Sequence, residues 1–475
     1  MDEIKLSDDV FEQIKKFDRY HLTKEQKSLI DKLIIDKELN KRYKNNGLCK
    51  NCKQINTHYD WCQPCVSKRF QQNFKNWTSG NHVVDEFIQK AQLKAECESQ
   101  IIEWIEYDKF EDVEYLAKGG FGTTFKAGWK DGPWTINNSQ LERNGETKVA
   151  LKCLHNSQGI TTEFLKEVES NILVYSSIWI VDCFGITKDP KTNNFMMVME
   201  LKNGSLRQHL NNNFISLNWE QKLGSIQSIA HGLSDIHKKG LIHNDFHCGN
   251  ILSNFKEHAY ITDLGLCRPA NVKSSQNNNK KIYGVLPYVA PEVLRGKEYT
   301  QKSDIYGFGI IAYEICTGFP PYYDIPHDEF LAMKICKGLR PKSNYKIPQL
   351  IFDIINQCWD ADPLKRPNAV RLNNLFFDLW KDIAYKKMDS VIYGQVKEAD
   401  DINKKLSFSS PLISTGTISY KTHPQAVYTS RLLDFNNLPE QKNADNNNDL
   451  LGIEYSDSLK IDFTKLDINS KDESN

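Results

Sequence analysis

HNDFHCGN at residues 243–250 and ITDLGL at residues 261–266 are the two stretches that decide the fold of this chain. Asn250 follows Asp245 by five positions, and Asp263 stands at a turn after a β-rich run. Carboxylate and amide oxygens suit Mg²⁺, which shares its coordination shell with substrate phosphates. The two stretches therefore predict a magnesium site next to a carboxylate that can act as a base.

A glycine cluster precedes these stretches in LAKGGFGTTFKA, residues 116–127. The alternating apolar residues around it predict a hairpin, and glycine lets the backbone approach phosphates closely because it has no Cβ. VALK, residues 149–152, then predicts a strand that ends in Lys152. Each motif is weak by itself, since a lone strand lysine is usually a solvated charge.

Three further motifs follow in order, namely YVAPE at 288–292, SDIYGFG at 303–309 and CWDADPLKRP at 358–367. The complete set, over residues 108–386, resembles the protein kinase superfamily and is closest to its tyrosine-kinase-like Ser/Thr kinases. The resemblance implies an α+β bilobal protein-kinase fold with a small β-rich N-lobe and a larger α-helical C-lobe. It also implies ATP and Mg²⁺ as cofactors.

The resemblance assigns the nucleotide-binding residues. Lys152 is expected to contact the α- and β-phosphates and to be held by Glu167, with Glu163 as the lesser candidate. Met199 is expected to be the gatekeeper of the adenine pocket. The resemblance implies that the loop covering the phosphates comprises Gly119, Gly120, Phe121 and Gly122. It implies that the hinge beside the adenine comprises Glu200, Leu201 and Lys202.

The catalytic residues are assigned in the same way. Asp245 is expected to orient and deprotonate the substrate hydroxyl, while Asn250 and Asp263 are expected to hold Mg²⁺. Phosphoryl transfer requires alignment and charge neutralisation more than covalent help, and these groups together with Lys152 supply both. Other polar residues are implied to shape the large lobe without doing chemistry, namely Glu292 paired with Arg366, and Asp304 at the catalytic-loop backbone.

Three positions depart from the family pattern and bear on the mechanism. Asn244 replaces the arginine that usually captures an activation-loop phosphate, so we expect activity that does not depend on that phosphorylation. His247 stands where Ser/Thr kinases usually place a lysine on the γ-phosphate, and Val285 where they place its threonine partner. A neutral histidine donates a hydrogen bond but brings less charge, so we expect slow rather than absent catalysis.

These observations predict an ATP-dependent protein kinase that phosphorylates Ser/Thr hydroxyls of protein substrates in intracellular signalling. Ser/Thr is preferred to Tyr because the loop GVLPYVAPE, residues 284–292, resembles the Ser/Thr pattern, with Tyr288 where tyrosine kinases usually carry tryptophan. The alternative is a pseudokinase that acts as a nucleotide-binding scaffold, which the three departures favour. The active enzyme is favoured by the four intact catalytic positions, Lys152, Asp245, Asn250 and Asp263.

CKNCKQINTHYDWCQPC, residues 49–65, contains two C-x-x-C pairs separated by nine residues. Thiolates at this spacing can complete a tetrahedral set and predict a structural Zn²⁺ site at Cys49, Cys52, Cys62 and Cys65. A pair of reduced turns and a redox dithiol are the alternatives. The module has too few residues for a core of its own, so the metal would supply folding energy, and the module would act as a scaffold or bind a protein partner.

The flanking segments differ in composition. Residues 1–46 carry apolar positions at helical spacing and predict an amphipathic helical segment, the cysteine module occupies residues 47–68, and residues 69–107 predict a helical linker. Residues 387–475 are rich in Asn, Ser, Asp and Lys and are expected to be disordered, because they bury little apolar surface. A more apolar patch there, AVYTSRLLDF at 426–435, either docks on another surface or belongs to a loose tail.

The overall charge is balanced, with 61 Lys and Arg against 61 Asp and Glu and a formal net charge of zero. Nucleic acid and anionic membrane are therefore not expected as partners. The charged N-terminus lacks the apolar run of a signal peptide, and no stretch approaches the ~18 apolar residues of a membrane span. We expect a cytoplasmic location, with the nucleus as the alternative, and protein substrates together with a protein partner of the zinc module or tail.

Overall fold

The structure is a computed structural model, and it describes residues 5–119, 122–137, 140–154, 159–174, 177–254, 258–271, 282–409, 420–435 and 437–444. The bilobal α+β fold is confirmed, with helices and a cysteine cluster ahead of the two lobes. None of the helices in these described residues is long and apolar enough to cross a membrane.

Three short helices open the described chain, namely α1 Asp8–Ile14, α2 Lys24–Leu33 and α3 Lys37–Asn46. Each begins at a side-chain oxygen that accepts a backbone N–H left free by the helix, and the capping residues are Ser7, Thr23 and Asp36. Their apolar faces meet in a small buried cluster formed by Ile14, Ile30, Ile34, Tyr43 and Ile55. The predicted amphipathic helical segment is present.

The segment between the cysteine module and the lobes is part of the small lobe. It contains helices α4 Gln63–Asn73 and α5 His82–Lys94 and strand β1 Glu103–Trp104. Val84 and Ile88 of α5 are buried in the same cluster as Phe164 and Met197 of the small lobe. Because its apolar face is covered in this way, α5 belongs to the packing of the lobe and is not a spacer.

Among its described residues, the small lobe contains one further helix and seven further strands, namely α6 Thr162–Leu173, β2 Phe110–Lys118, β3 Gly122–Trp129, β4 Trp134–Asn137, β5 Gln140–Arg143, β6 Thr147–Leu154, β7 Cys183–Lys188 and β8 Phe195–Glu200. Six strands form one sheet in the order β1-β7-β8-β6-β3-β2, and β4 pairs with β5. Ala150 of β6 packs in the cluster that contains Phe164 and Val168 of α6. Side chains two residues apart share a strand face, so Lys152 lies on the face that α6 covers.

The large lobe is mainly helical. Its helices are α7 Leu206–Asn213, α8 Trp219–Lys238, α9 Pro291–Leu294, α10 Gln301–Thr317, α11 Glu329–Cys336, α12 Gln349–Cys358, α13 Ala369–Ala384 and α14 Val391–Ser409. Its short strands are β9 Gly204–Ser205, β10 Leu241–Ile242, β11 Ile251–Ser253, β12 Ala259–Ile261, β13 Arg268–Pro269, β14 Ile282–Gly284 and β15 Arg431–Leu433.

Helix α10 runs through the centre of the large lobe. Its residues from Ser303 to Thr317 are buried, as expected for a helix that is apolar on all sides. Two glycines let neighbouring chains approach it closely. A Cβ at Gly307 would lie 2.6 Å from the Phe246 carbonyl oxygen, and one at Gly309 would lie 2.7 Å from the Cys358 Cβ. The backbone of the catalytic loop therefore rests directly on this helix.

The C-terminal region differs from the expectation of disorder from Lys387 onward. Residues 391–409 form α14, in which Ile392 and Ala399 are buried in the large-lobe core. The average composition is polar, but Ile392, Val396, Ala399 and Asn403 recur at helical spacing and form one face that packs. Residues 420–435 and 437–444 also lie against the lobe, whereas residues 445–475 lie outside the described residues.

Candidate active site

Lys152 occupies a buried cluster of opposite charges between the lobes. Its Nζ lies 2.7 Å from Glu167 Oε1 on α6 and 3.0 Å from Asp263 Oδ1 on the loop after β12. Glu167 is buried and Glu163 is exposed, so the lysine is paired with the first of the two candidates. Burial opposes the charge on Lys152, but the carboxylates of Asp263 and Glu167 outweigh it and raise its pKa, so the lysine remains a cation.

Asp263 reaches this cluster through a strained turn. Its φ of 61° lies in the left-handed region that non-glycine residues seldom adopt. Strands β11 and β12 pair as a hairpin, and the Thr262 N–H donates to the Asn250 carbonyl oxygen at 3.0 Å. A Cβ at Gly265 would lie 2.8 Å from Glu167 Oε2, so glycine leaves room for the helix carboxylate. The turn thus brings the two expected magnesium ligands, Asn250 and Asp263, to one end of the hairpin.

Helix α10 holds the backbone of the catalytic loop through the side chain of Asp304. The carboxylate of Asp304 accepts the backbone N–H of His243 at 2.9 Å and that of Asn244 at 3.2 Å. The backbone of Asn244 has a φ of 68°, and its side chain donates from Nδ2 to the Leu266 carbonyl oxygen at 2.7 Å. This amide joins the catalytic loop to the loop that carries Asp263 directly.

Asp245 is the buried carboxylate of this loop. Asn250 Nδ2 donates to its carbonyl oxygen at 2.9 Å and lies 3.3 Å from its Oδ2, while its Oδ1 is buried without a hydrogen-bond partner among the described residues. Burial favours the neutral acid, but the neighbouring His247 imidazole outweighs it and lowers the pKa of Asp245. The carboxylate is therefore ionised at neutral pH and has one oxygen available for an incoming hydroxyl.

His247 is oriented by its own loop. The Gly249 backbone N–H donates to Nδ1 at 3.0 Å, so Nδ1 is an acceptor and the ring proton of the neutral form lies on Nε2. Nε2 lies 3.3 Å from Asp245 Oδ2. His247 thus places Nε2 beside the Asp245 carboxylate, although the two groups are not aligned as a hydrogen bond.

The phosphate-covering loop is described only in part, because Gly120 and Phe121 lie outside the described residues. The Gly119 N–H donates to the Gly122 carbonyl oxygen at 2.8 Å and closes the β2–β3 hairpin. A Cβ at Gly122 would lie 2.3 Å from the Cys153 carbonyl oxygen, which excludes other residues from this position. Gly122 therefore has a packing role against β6 in addition to the loop role that the resemblance implies.

The expected hinge lies at the end of β8. Met199 is buried opposite Ala150, as a residue at the back of a pocket would be. Leu201 follows directly on Glu200 at the exit from the strand. Lys202 Nζ pairs with Glu200 Oε1 at 2.5 Å and lies 3.5 Å from the centre of the Tyr260 ring. These contacts hold the short connection between the lobes.

A buried ion pair beside the catalytic loop was missed by the sequence analysis. Arg207 Nη1 lies 2.5 Å from Glu314 Oε1, and the Tyr288 hydroxyl accepts from Arg207 Nη2 at 2.8 Å and donates to Glu314 Oε2 at 2.5 Å. From the sequence, Tyr288 indicates only the substrate class. The sequence contains one indication of this pair, namely Glu314 in the largely apolar segment that forms α10. A buried charge requires a partner, so this glutamate predicts a nearby cation.

The four cysteines of the N-terminal module come together. Their sulfur atoms all lie within 4.8 Å of one another, with Cys49 and Cys65 at 3.7 Å and Cys52 and Cys62 at 3.6 Å. Four sulfurs around one Zn²⁺ at the usual bond length would be separated by about 3.8 Å. The arrangement therefore fits a tetrahedral zinc site.

Comparison with known proteins agrees with this geometry. The sequence profile of the family described as protein tyrosine and serine/threonine kinase matches residues 110–376. Among similar proteins, the probable serine/threonine-protein kinase roco5 of Dictyostelium discoideum is 32% identical over 290 residues, which is 57% of this chain and 10% of that protein. Tyrosine-protein kinase SPK-1 of Girardia tigrina is 27% identical over 278 residues, which is 56% of this chain and 52% of that protein.

The ankyrin repeat-containing protein kinase A of Dictyostelium discoideum is 33% identical over 239 residues, which is 46% of this chain and 16% of that protein. The chain thus spans from a tenth to about half of the length of these three relatives. The profile match covers more than half of the chain and both lobes of the fold. This chain belongs to the protein tyrosine and serine/threonine kinase family.

Proposed function

We propose that this protein kinase transfers the γ-phosphate of ATP to Ser/Thr hydroxyls of protein substrates in intracellular signalling. The observation that carries the proposal is the charge cluster of Lys152, Glu167 and Asp263, which lies beside a catalytic loop with an ionised Asp245. A cation for the phosphates and a carboxylate for the hydroxyl are the groups that aligned phosphoryl transfer needs.

Each residue has one task in this reaction. Lys152 binds the α- and β-phosphates of ATP, and Asp245 Oδ1 accepts the proton of the hydroxyl as the hydroxyl oxygen attacks the γ-phosphorus. Asn250 and Asp263 would hold Mg²⁺, and the ion supplies charge neutralisation at the phosphates when it is bound. Their oxygen ligands suit a hard cation, and the β11–β12 hairpin supports their placement at one site.

Two local features support a reaction that is slow and independent of loop phosphorylation. His247 Nε2 lies 3.3 Å from Asp245 Oδ2, and an imidazole brings less positive charge to this position than the lysine usual in the family. Asn244 ties the catalytic loop to the Leu266 carbonyl, a connection that needs no phosphate. These same departures support the alternative of a nucleotide-binding scaffold without transfer activity.

The preference for Ser/Thr has its own test. The relatives carry both serine/threonine and tyrosine kinase names, so the names alone do not decide the class. Phosphoamino-acid analysis of the protein after incubation with ATP and Mg²⁺ should yield phosphoserine or phosphothreonine. Phosphotyrosine as the main product would contradict the proposal.

We also propose that the four cysteines hold one structural Zn²⁺ that links the N-terminal helices to the small lobe. The cluster joins the end of α3 to the start of α4, and next to it the buried Trp61 donates from Nε1 to the Ala95 carbonyl oxygen at 3.0 Å. Because so small a module has little core, the metal would supply much of its folding free energy.

The purified full chain should contain about one zinc per molecule. Cys52→Ser should remove most of the metal and lower the melting temperature, because three ligands bind Zn²⁺ far less tightly than four. Elemental analysis and differential scanning calorimetry measure the two effects. Cys97→Ser is the matched control, since this thiol is outside the cluster and should leave the zinc content unchanged. Equal zinc content in both variants would contradict the site.

A further inference from the structure

Residues 420–435, here called the docked segment, cross the surface of the large lobe toward the catalytic loop. At the start of the segment the Tyr420 ring packs against the rings of Phe319 at 5.9 Å and Tyr323 at 5.1 Å between centroids. The Tyr420 hydroxyl donates to Asn211 Oδ1 at 3.0 Å, and the backbone N–H of His423 donates to the Tyr323 carbonyl oxygen at 2.7 Å. The start of the segment is therefore anchored on the large lobe by both ring packing and hydrogen bonds.

The middle of the docked segment is held by His327. The backbone N–H of His327 donates to the Gln425 carbonyl oxygen at 3.0 Å, and its Nδ1 accepts the Val427 N–H at 3.1 Å. Tyr428 packs on the His327 ring at 4.9 Å and on the Arg207 guanidinium at 5.0 Å, and its hydroxyl donates to the Pro321 carbonyl oxygen at 2.8 Å. The contact with Arg207 joins the segment to the buried ion pair beside the catalytic loop.

The end of the docked segment is strand β15, Arg431–Leu433, which lies on strand β14, Ile282–Gly284. Strand β15 pairs antiparallel with β14, with Leu433 opposite Ile282 and Arg431 opposite Gly284. Leu433 is only 3% exposed and lies in the large-lobe core, while Leu432 on the other face is exposed. Strand addition of this kind is a common way for a protein to bind an extended peptide, with backbone hydrogen bonds for affinity and alternate side chains for specificity.

This register places Ser430 at the catalytic carboxylate. Arg431 is opposite Gly284, and a Cβ at Gly284 would lie 3.9 Å from Asp245 Oδ1. Ser430 Oγ and Asp245 Oδ1 are both buried, and neither has a hydrogen-bond partner among the described residues. The Ser430 hydroxyl is near enough to interact with the Asp245 carboxylate, but the two groups are not aligned as a hydrogen bond. Two shielded oxygens with unused hydrogen-bonding capacity therefore lie at the same end of the β14–β15 pair, one a potential donor and one an acceptor.

We propose that the docked segment is an intramolecular substrate that occupies the substrate groove. The same molecule phosphorylates Ser430, and the groove stays blocked until Ser430 is phosphorylated. This inference rests on the proposed Ser/Thr kinase function and names a substrate for it. In the reaction, Ser430 Oγ forms a bond to the γ-phosphorus of ATP, the bond between that phosphorus and the β–γ bridging oxygen breaks, ADP leaves with the electron pair, and the hydroxyl proton passes to Asp245.

The product no longer fits the groove. Phosphoserine carries a charge of about −1.5 to −2 at neutral pH, and at this position it would face the Asp245 carboxylate, which is unfavourable for a second anionic group. The strand pair between β14 and β15 is short, so it offers little to hold the charged product in place. Release of the segment opens the groove to protein substrates, and modification of Ser430 thereby activates the enzyme.

Phosphorylation within one molecule has a kinetic signature. The full chain is treated with phosphatase, freed of the phosphatase and given ATP and Mg²⁺, and phosphate at Ser430 is followed by mass spectrometry. The rate constant should be unchanged when the enzyme is diluted about tenfold, because donor site and acceptor are in one chain. Ser430→Ala should lose this phosphate. Thr429→Ala, which removes the neighbouring exposed hydroxyl, should keep it.

Release of the block is measured with dephosphorylated casein as an external substrate. The wild type should show a lag that ends as Ser430 becomes modified, whereas Ser430→Ala should keep its low initial rate. Tyr428→Ala removes an anchor of the docked segment and should raise the initial rate by about fivefold without a lag. Since Tyr428 is half-buried at the surface, this variant should fold even if changes at Leu433 do not.

The outcomes separate this inference from the function on which it rests. Casein phosphorylation at a constant rate with Ser430 unmodified would overturn the intramolecular substrate and leave the kinase function intact. A rate of Ser430 modification that rises with enzyme concentration would overturn the docking within one chain. Absence of phosphate on both casein and Ser430 in every variant would overturn the proposed function itself.

Discussion

Asp263→Asn should lower the rate of phosphate transfer by about a thousandfold while the protein stays folded. The substitution replaces a carboxylate by an amide of the same size, so packing in the turn is preserved. It removes the negative charge that would bind Mg²⁺, and it removes the anion that lies 3.0 Å from Lys152 Nζ. Phosphoryl transfer depends on neutralisation of the phosphate charges, so the loss should fall on the chemical step.

The measurement is transfer of labelled phosphate to casein by the wild type, Asp263→Asn and Lys152→Ala. Asp108→Asn is the matched control, since it makes the same chemical change at an exposed carboxylate of the small lobe and should keep the wild-type rate. Binding of a fluorescent ATP analogue, measured in parallel, should persist in Asp263→Asn. Equal signal from all of these proteins would favour the nucleotide-binding scaffold over the active kinase.

Arg366→Leu should lower the free energy of unfolding by about 3–5 kcal/mol. Arg366 and Glu292 are both buried and form two parallel hydrogen bonds, from Nη1 to Oε1 at 2.7 Å and from Nη2 to Oε2 at 2.8 Å. Arg366 also donates from Nε to the Asp360 carbonyl oxygen at 2.8 Å and from Nη1 to that of Lys302 at 2.9 Å. Its removal leaves the Glu292 carboxylate buried without its cation, which is costly in a medium of low polarity.

A double variant shows whether the unpaired charge causes the loss. Glu292→Met combined with Arg366→Leu removes both charges and should be less destabilised than the sum of the two single variants. Urea unfolding followed by circular dichroism gives the free energies, and Lys365→Ala at an exposed neighbouring position should stay within about 0.5 kcal/mol of the wild type. Should Arg366→Leu fail to fold, recovery of soluble protein in the double variant decides the same question. Additive losses would contradict this account.

The catalytic motifs could be predicted from sequence because their chemistry is tied to short stretches. Lys152 lies in a strand with a clear apolar alternation, two residues before the strand ends at Leu154, and Glu167 lies on the apolar face of the helix that follows, which is the face that packs against the sheet. Asp245, Asn250 and Asp263 lie on loops whose spacing is set by one hairpin. In such cases the local pattern and the tertiary position agree.

The C-terminal region could not be predicted in the same way. Its average composition predicted disorder, but burial depends on which residues share a face, and Ile392 and Ala399 of α14 do. The apolar patch at 426–435 is compatible, as a sequence, with both docking and a loose tail. Nothing in its local sequence indicates that Leu433 pairs with Ile282, because the two are separated by more than a hundred residues.

The amino-acid sequence by itself determined the family and the two lobes, and it indicated the residues that we propose to carry phosphoryl transfer, because that chemistry demands glycine-rich turns, carboxylates and a strand lysine at short range. Only the tertiary structure decided that Arg207 pairs with Glu314, that the linker helix α5 packs on the small lobe, and that β15 pairs with β14. The physical reason is that burial and pairing energies arise between segments distant along the chain. Their partners are known only when the fold has brought the two surfaces together.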